Sequence, residues 1–448
     1  MTPTDDSQQI AQGRSRRLSL SFATSIVSKV GSLIVLAVAL PIAIRALGTA
    51  RYGAYSALVA GVAWLSVVNF GTGPALTRAI AKSKADNDLE EEKRFYSNAV
   101  AIVSVCSLIA ALGLLAIGFL HARMGVLGPA VKPFAGEASQ GLALLTVLVP
   151  ITMFAGLADA IYVGHQEQYV SNTWALIYSL ISIPAFLAVR AISPTLPAMV
   201  LAVYGPLVLT KIGAYIQLLA FQHRYLRFSL SSVQRSVVKT FLISGAGFFV
   251  LSAGSYVNTQ LAVYVAGLHG AVAAAQMGAL MQLSTLAFSL VTMGTGPLWP
   301  ALIEARERRD AAWLSRTLKK TMKISGAFGA ALLVGFGLVS PWLAGRMYHV
   351  QLPHPHSIGW AAGLFVGAAA LENVLLMISL AFGSFGLATK VFIVRSLVVA
   401  ALYVPAINAF GIQGILVLAG LSIFCGPLQI LYFKSRDDYK AFTKDVPA

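Results

Sequence analysis

Apolar runs of roughly twenty residues, parted by short polar links, recur along the whole chain, and each is long enough to cross a bilayer as a helix. Twelve runs predict helices near 21–46, 53–77, 97–120, 141–164, 169–192, 196–221, 237–265, 273–300, 322–345, 358–382, 387–408 and 410–432. Links as short as 48–52 and 165–168 make neighbouring helices antiparallel. The expected fold is all-α and polytopic.

The pattern also repeats. "NFGTGPALTRAIAKSK" at 69–84 returns as "TMGTGPLWPALIEARERR" at 292–309, each Gly-Thr-Gly-Pro lying between an apolar run and a basic segment. Gly71 corresponds to Gly294 and, at nearly the same offset, Gly48 to Gly270. The spans therefore divide into two six-helix lobes, 18–221 and 237–432, joined by a linker at 222–236 and flanked by tails 1–17 and 433–448. Six is even, so both lobes enter the membrane from one side, related by a pseudo-twofold along its normal. Glycine allows bending or close approach, and proline removes a donor. Gly71, Gly73, Pro74 and their counterparts Gly294, Gly296, Pro297 either break the second helix of each lobe or only pack and terminate it. A helix interrupted in lipid must face protein or a watery cavity.

Composition places the chain in lipid. Of its 448 residues 57% are hydrophobic and 11% charged, with mean hydropathy +0.75, against about 25% charge in a soluble domain. The net charge of +16 does not indicate nucleic acid, because the basic residues cluster between spans without interleaved aromatics. Residues 1–17 are polar and the following apolar run is too long for a cleavable leader, so the first helix is expected to remain as a signal anchor. Cys106 and Cys425 lie in apolar runs and imply neither disulfide nor metal centre.

Charge sets the orientation. Arg14, Arg16 and Arg17, the basic residues of 78–94, 224–239 and 306–323, and Lys434, Arg436, Lys440 and Lys444 share one face if the spans number twelve. Near the other face lie Arg45, Arg51, Arg123, Lys132, Arg190 and Arg346. The positive-inside rule makes the first face cytoplasmic and puts both termini there. Segments 78–96 and 304–321 read equally as charged loops or short interfacial helices. Within the first, Glu90, Glu91 and Glu92 read as a helix start, not a metal site, because nothing near them in sequence supplies further ligands.

Lys29, Lys211 and Arg395 fall inside spans. A central Lys or Arg costs roughly 2.5–3.5 kcal/mol to insert, so turning these groups toward a hydrated cleft is cheaper than facing lipid. There they form an electropositive chamber for an anion, arginine gripping phosphate through two donors and lysine acting as a point charge. Lys211 is the first candidate and Lys29 the second; Arg395 lies near a helix end, where snorkelling is an equal alternative. Asp159 and Glu372, on equivalent helices of the two lobes, either neutralise these cations or exchange a proton or sodium ion.

Enzyme readings lack support: the chain carries no phosphate-loop lysine motif, no His-Glu-x-x-His and no sizeable soluble domain. His349, His354 and His356 share an outer-face loop without acids or cysteines, so no metal and no cofactor are expected.

The segment "LPIAIRALGTARYGAYSALVAGVAWLSVVNFGTGPALTRAIAKSKADNDLEEEKRF" resembles the start of bacterial polysaccharide-transport proteins, including O-antigen flippases, of the multidrug/oligosaccharidyl-lipid/polysaccharide exporter (MOP) superfamily. The match rests on Pro41, Arg45, Leu47 and Gly48, then Tyr52-Gly53, Phe70-Gly71 and Arg78, with Gly164 and Gln166 of "YVGHQEQY" later. The resemblance implies an alternating-access flippase of the bacterial inner membrane that moves a polyprenyl-diphosphate-linked oligosaccharide outward for O-antigen, lipopolysaccharide or exopolysaccharide synthesis. It further implies a cationic central cavity, with Lys29 and Lys211 matching by location and Arg45 and Arg78 as entrance-side or exit-side contacts. Membrane lipids and a polysaccharide polymerase or glycosyltransferases are the implied partners. An ion-coupled multidrug or small-solute antiporter is the alternative. It would expose acids in an apolar cavity, whereas buried basic charge predominates here.

Overall fold

The computed structural model describes residues 20, 23–67, 71–295, 302, 305–306, 309–382 and 385–444. Ten helices among them are long and apolar enough to cross a membrane, two fewer than the pattern predicts. The difference arises at two glycines. Helix α1, Ala23–Ala63, runs on through Gly48 at φ 75, ψ 163, joining the first two predicted spans. The span Gly386–Asp437 runs through Gly411 at φ 63, ψ −156, joining the last two. Both conformations belong to a region that glycine alone enters readily. Each long helix is therefore two arms meeting at a glycine hinge point.

The chain forms two compact units. One comprises Met1–Leu47, Val62–Val126 and Lys132–Phe249, the other Gly48–Gly61, Leu127–Val131 and Val250–Ala448.

In the first unit α2 (Thr72–Asp86) follows the first arm of α1, then α3 (Leu89–Met124), α4 (Ala135–Ala155), α5 (Leu157–Gly164), α6 (Gln168–Ala191) and α7 (Leu196–Gln217). The first Gly-Thr-Gly-Pro opens α2. Gly71 is left-handed at φ 67, and a Cβ there would meet the Gly245 carbonyl oxygen at 2.3 Å. Only glycine satisfies both demands. Pro74 sits in the first turn, where its missing N–H breaks no helical bond. The segment 78–96 is thus the end of α2 and the start of α3. Asp88 caps α3, its Oδ1 accepting from the Glu91 N–H at 2.8 Å, and Glu90, Glu91 and Glu92 fill the first turn, where the helix dipole favours acids. Leu76 and Ile80 of α2, Tyr96 and Val103 of α3, and Ile161 and Tyr162 of α5 join in one buried core.

In the second unit α8 (Arg235–Tyr256), begun in the first unit, passes through a π-turn at Val257–Leu261 into α9 (Ala262–Gly267). Then come α10 (Ala271–Thr295), α11 (Ala311–Tyr348), α12 (Pro355–Ala381), α13 (Phe385–Phe424) and α14 (Pro427–Lys444). Of the second motif copy, Gly294 lies in α10, and Gly296 and Pro297 fall outside the described residues. Much of the basic stretch 304–321 is helical, because Asp310 caps α11 by accepting from the Trp313 N–H at 2.9 Å. Gly359, Gly363 and Gly367 recur every fourth residue on α12. Cβ atoms there would meet the carbonyl oxygens of Gly337, Leu333 and Gly329 on α11 at 2.3, 2.2 and 2.7 Å. Small residues thus let two membrane helices touch backbone to backbone, the packing that replaces hydrophobic driving force in lipid.

Candidate functional site: intramembrane charge

Each acid found inside a span meets a cation found inside a span. In the first unit Gly156 separates α4 from α5, and Asp159 falls in the first turn of α5. The Lys211 ammonium of α7 pairs with its carboxylate, the two side chains 31% and 33% exposed. Thr77 Oγ1 donates to the Ala160 carbonyl at 3.0 Å, and Tyr162 OH to the Ala214 carbonyl at 3.0 Å, which fixes α5 against α2 and α7.

In the second unit Arg395 of α13 pairs with Glu372 of α12, with side chains only 4% and 9% exposed. Its Nη1 donates to Glu372 Oε1. Nε and Nη2 are buried without a hydrogen-bond partner among the described residues, as are Asn258 Oδ1 in the π-turn and Tyr403 OH on α13. The Phe392 ring covers the guanidinium at 5.5 Å. π-Turns recur at functional sites because they free a backbone group and redirect a side chain.

The other expected contacts are distributed differently. Lys29 is half-buried on α1 and has no ion-pair or hydrogen-bond partner among the described residues. Arg45 is exposed. Arg78, also exposed, lies 5.0 Å over the Phe248 ring. Lys29, Arg45, Arg78 and Lys211 belong to the first unit and Arg395 to the second.

A third cluster escaped the sequence reading. Glu92 at the start of α3, His165 just after α5 and His223 beyond α7 are buried together, 1%, 5% and 7% exposed. Residues so far apart in sequence carry no spacing signal. The one available hint was that "YVGHQEQY" places a histidine and an acid between apolar runs.

With these pairs in place, the fold defines a polytopic helical protein of the kind built by MOP-superfamily transporters. It is similar to the inward-facing conformation of a multidrug resistance MATE family transporter of that superfamily, with TM-score 0.76 at 15% identity over 97% of this chain and 100% of that one. The outward-facing conformation of such a transporter matches with TM-score 0.67 at 15% identity, over 95% and 97% of the chains. A MOP superfamily transporter from Pyrococcus furiosus, whose binding pocket has a reverse polarity that suggests a different function, matches with TM-score 0.70 at 16% identity over 94% and 96%. No curated protein matches in sequence. The family model described as polysaccharide biosynthesis protein matches residues 21–306, more than half of the chain, and the chain belongs to that family.

Proposed function

We propose that this protein is an alternating-access flippase that carries a polyprenyl-diphosphate-linked oligosaccharide from the cytoplasmic to the outer leaflet of a bacterial inner membrane. In this reading the arms on either side of Gly48 and Gly411 each cross the bilayer. That makes twelve crossings in two six-helix lobes, 18–221 and 237–432, with both termini cytoplasmic. The product serves O-antigen or another surface polysaccharide, and a polymerase or glycosyltransferases act on either side of the step.

The observation that carries the reading is Arg395. After pairing with Glu372 it keeps two buried donors without partners among the described residues, and an unsatisfied buried donor costs about 1–3 kcal/mol. Two oxygens of one phosphate satisfy both donors at once, in the forked geometry that a guanidinium prefers. Within the first unit, Lys29, a cation without a described partner, and Lys211, Arg45 and Arg78 are the further phosphate and sugar contacts of this reading. The membrane potential assists an anionic cargo leaving a negative interior by roughly 2.3 kcal/mol per charge per 100 mV. Membership in the polysaccharide biosynthesis family supports the same cargo.

A second reading, ion-coupled antiport of small solutes, draws on the structural likeness to multidrug transporters and on Asp159 and Glu372, acids able to exchange a proton or sodium ion. The test is flipping of a fluorescent polyprenyl-diphosphate glycan in proteoliposomes, beside efflux of cationic dyes. The flippase reading requires lipid flipping that falls at least tenfold in Arg395→Lys, which keeps the charge and loses the fork. Dye efflux driven by an ion gradient, with no glycan flipping, would establish the antiporter instead.

A further inference from the structure

We propose that Glu92, His165 and His223 form a binding site for a divalent transition metal of the zinc class, independent of the cargo. A carboxylate oxygen and one imidazole nitrogen from each histidine lie within 4.8 Å of one another. His165 Nε2 sits 2.7 Å from Glu92 Oε1, and the two imidazoles stack with centroids 4.0 Å apart. A four-coordinate zinc with ligands at about 2.0–2.2 Å needs only a small outward shift of these atoms. Two imidazoles and one carboxylate are a borderline donor set suited to zinc, and three protein ligands leave a fourth position for water.

The surroundings are those of a metal site. His223 Nε2 lies 3.1 Å from Glu167 Oε2. A carboxylate only accepts, so His223 Nε2 carries the hydrogen and Nδ1 remains as the ligand atom, the carboxylate–histidine arrangement that fixes a ligand's tautomer and orientation. His165 Nε2 donates to Glu92 by the same rule, and the metal would take the place of that hydrogen between the two side chains. Tyr225 OH donates to Glu92 Oε1 at 2.7 Å and lies 3.1 Å from His223 Nδ1. Lys84 Nζ donates to the His165 carbonyl at 2.7 Å and holds that turn in place.

Charge points the same way. Glu92 is almost fully buried, and among the described residues no Lys or Arg pairs with it. A dication supplies the missing positive charge. It would tie the start of α3 and the turn after α5 to the segment leading from α7 to α8, a segment also held by Asn98. That side chain donates to the Ser232 carbonyl and accepts from the Gln234 N–H, each at 2.9 Å.

The experiment is equilibrium dialysis of the chelator-stripped, full-length protein in nanodiscs against zinc, then against cobalt, with metal content and cobalt absorption as readouts. We expect one equivalent per chain, visible bands of tetrahedral cobalt, and loss of both in His223→Ala and Glu92→Gln. Glu167→Gln should weaken binding about 10–100-fold. A double variant, His354→Ala with His356→Ala, should bind as the parent does, which separates the buried site from the outer-loop histidines. X-ray absorption on the parent protein needs no variant and should show two imidazoles on zinc. No saturable uptake, or uptake lost only in the outer-loop variant, overturns the proposal, as does an absorption spectrum without imidazole scattering.

Discussion

Arg395 on α13 and Glu372 on α12 form an ion pair that is buried on both sides. Such a pair gains little over a hydrophobic replacement, but losing one member strands the other in a medium that cannot solvate it. Glu372→Gln should therefore lower stability by about 3–5 kcal/mol, read as the midpoint of thermal unfolding in detergent. Glu372→Leu combined with Arg395→Met should recover most of that loss. A single variant as stable as the parent would mean that the pair is not structurally important.

Lys211 and Asp159 make the contrasting case. Each is about a third exposed, so solvent screens the pair and either substitution should change stability by less than about 1 kcal/mol. Transport is expected to respond differently: Lys211→Ala should slow glycan flipping severalfold in proteoliposomes while the melting temperature holds. Equal flipping rates would remove Lys211 from the cargo path.

The first Gly-Thr-Gly-Pro contains one irreplaceable glycine and one tolerant one. Gly71→Ala forces a side chain into a left-handed residue and against the Gly245 carbonyl, and should cost at least about 1–2 kcal/mol. Gly73 has nothing within 4 Å of a Cβ, so Gly73→Ala should be neutral or stabilise by up to about 1 kcal/mol through helix propensity. Thermal unfolding of the two variants side by side decides it, and equal destabilisation would contradict the account.

The glycine ladder on α12 predicts a graded effect. Gly363, whose Cβ would meet the Leu333 carbonyl oxygen at 2.2 Å, should tolerate Ala poorly and Leu not at all. Gly345 on the same α11 partner faces open space, and Ala there should leave folded yield unchanged by size-exclusion chromatography.

At Asp88 the expectation is smaller. Removing the cap of α3 with Asp88→Ala should cost about 1 kcal/mol, measurable as a lower unfolding midpoint, with Asp88→Ser restoring most of it.

Hydrophobic period and length were enough to place nearly every helix, because a membrane span must satisfy its own backbone hydrogen bonds and reads as one continuous apolar run. The pattern missed how helices join. It separates spans at 48–52 and at 409, whereas the chain stays helical on both sides of single glycines, Gly48 and Gly411. The sequence also exposed Lys211, Asp159, Glu372 and Arg395 as misfits in apolar surroundings. It could not pair them, since partners lying 52 and 23 positions apart meet only through the way α5, α7, α12 and α13 pack.

The amino-acid order alone determined that this is a polytopic helical protein with an internal repeat and a handful of charges inside its spans, because lipid admits few alternatives to that pattern. Tertiary structure alone decided that Gly71 must be glycine, that each intramembrane acid has its cation, and that Glu92 meets His165 and His223 from distant turns. Such meetings depend on distance in space, which local periodicity does not encode.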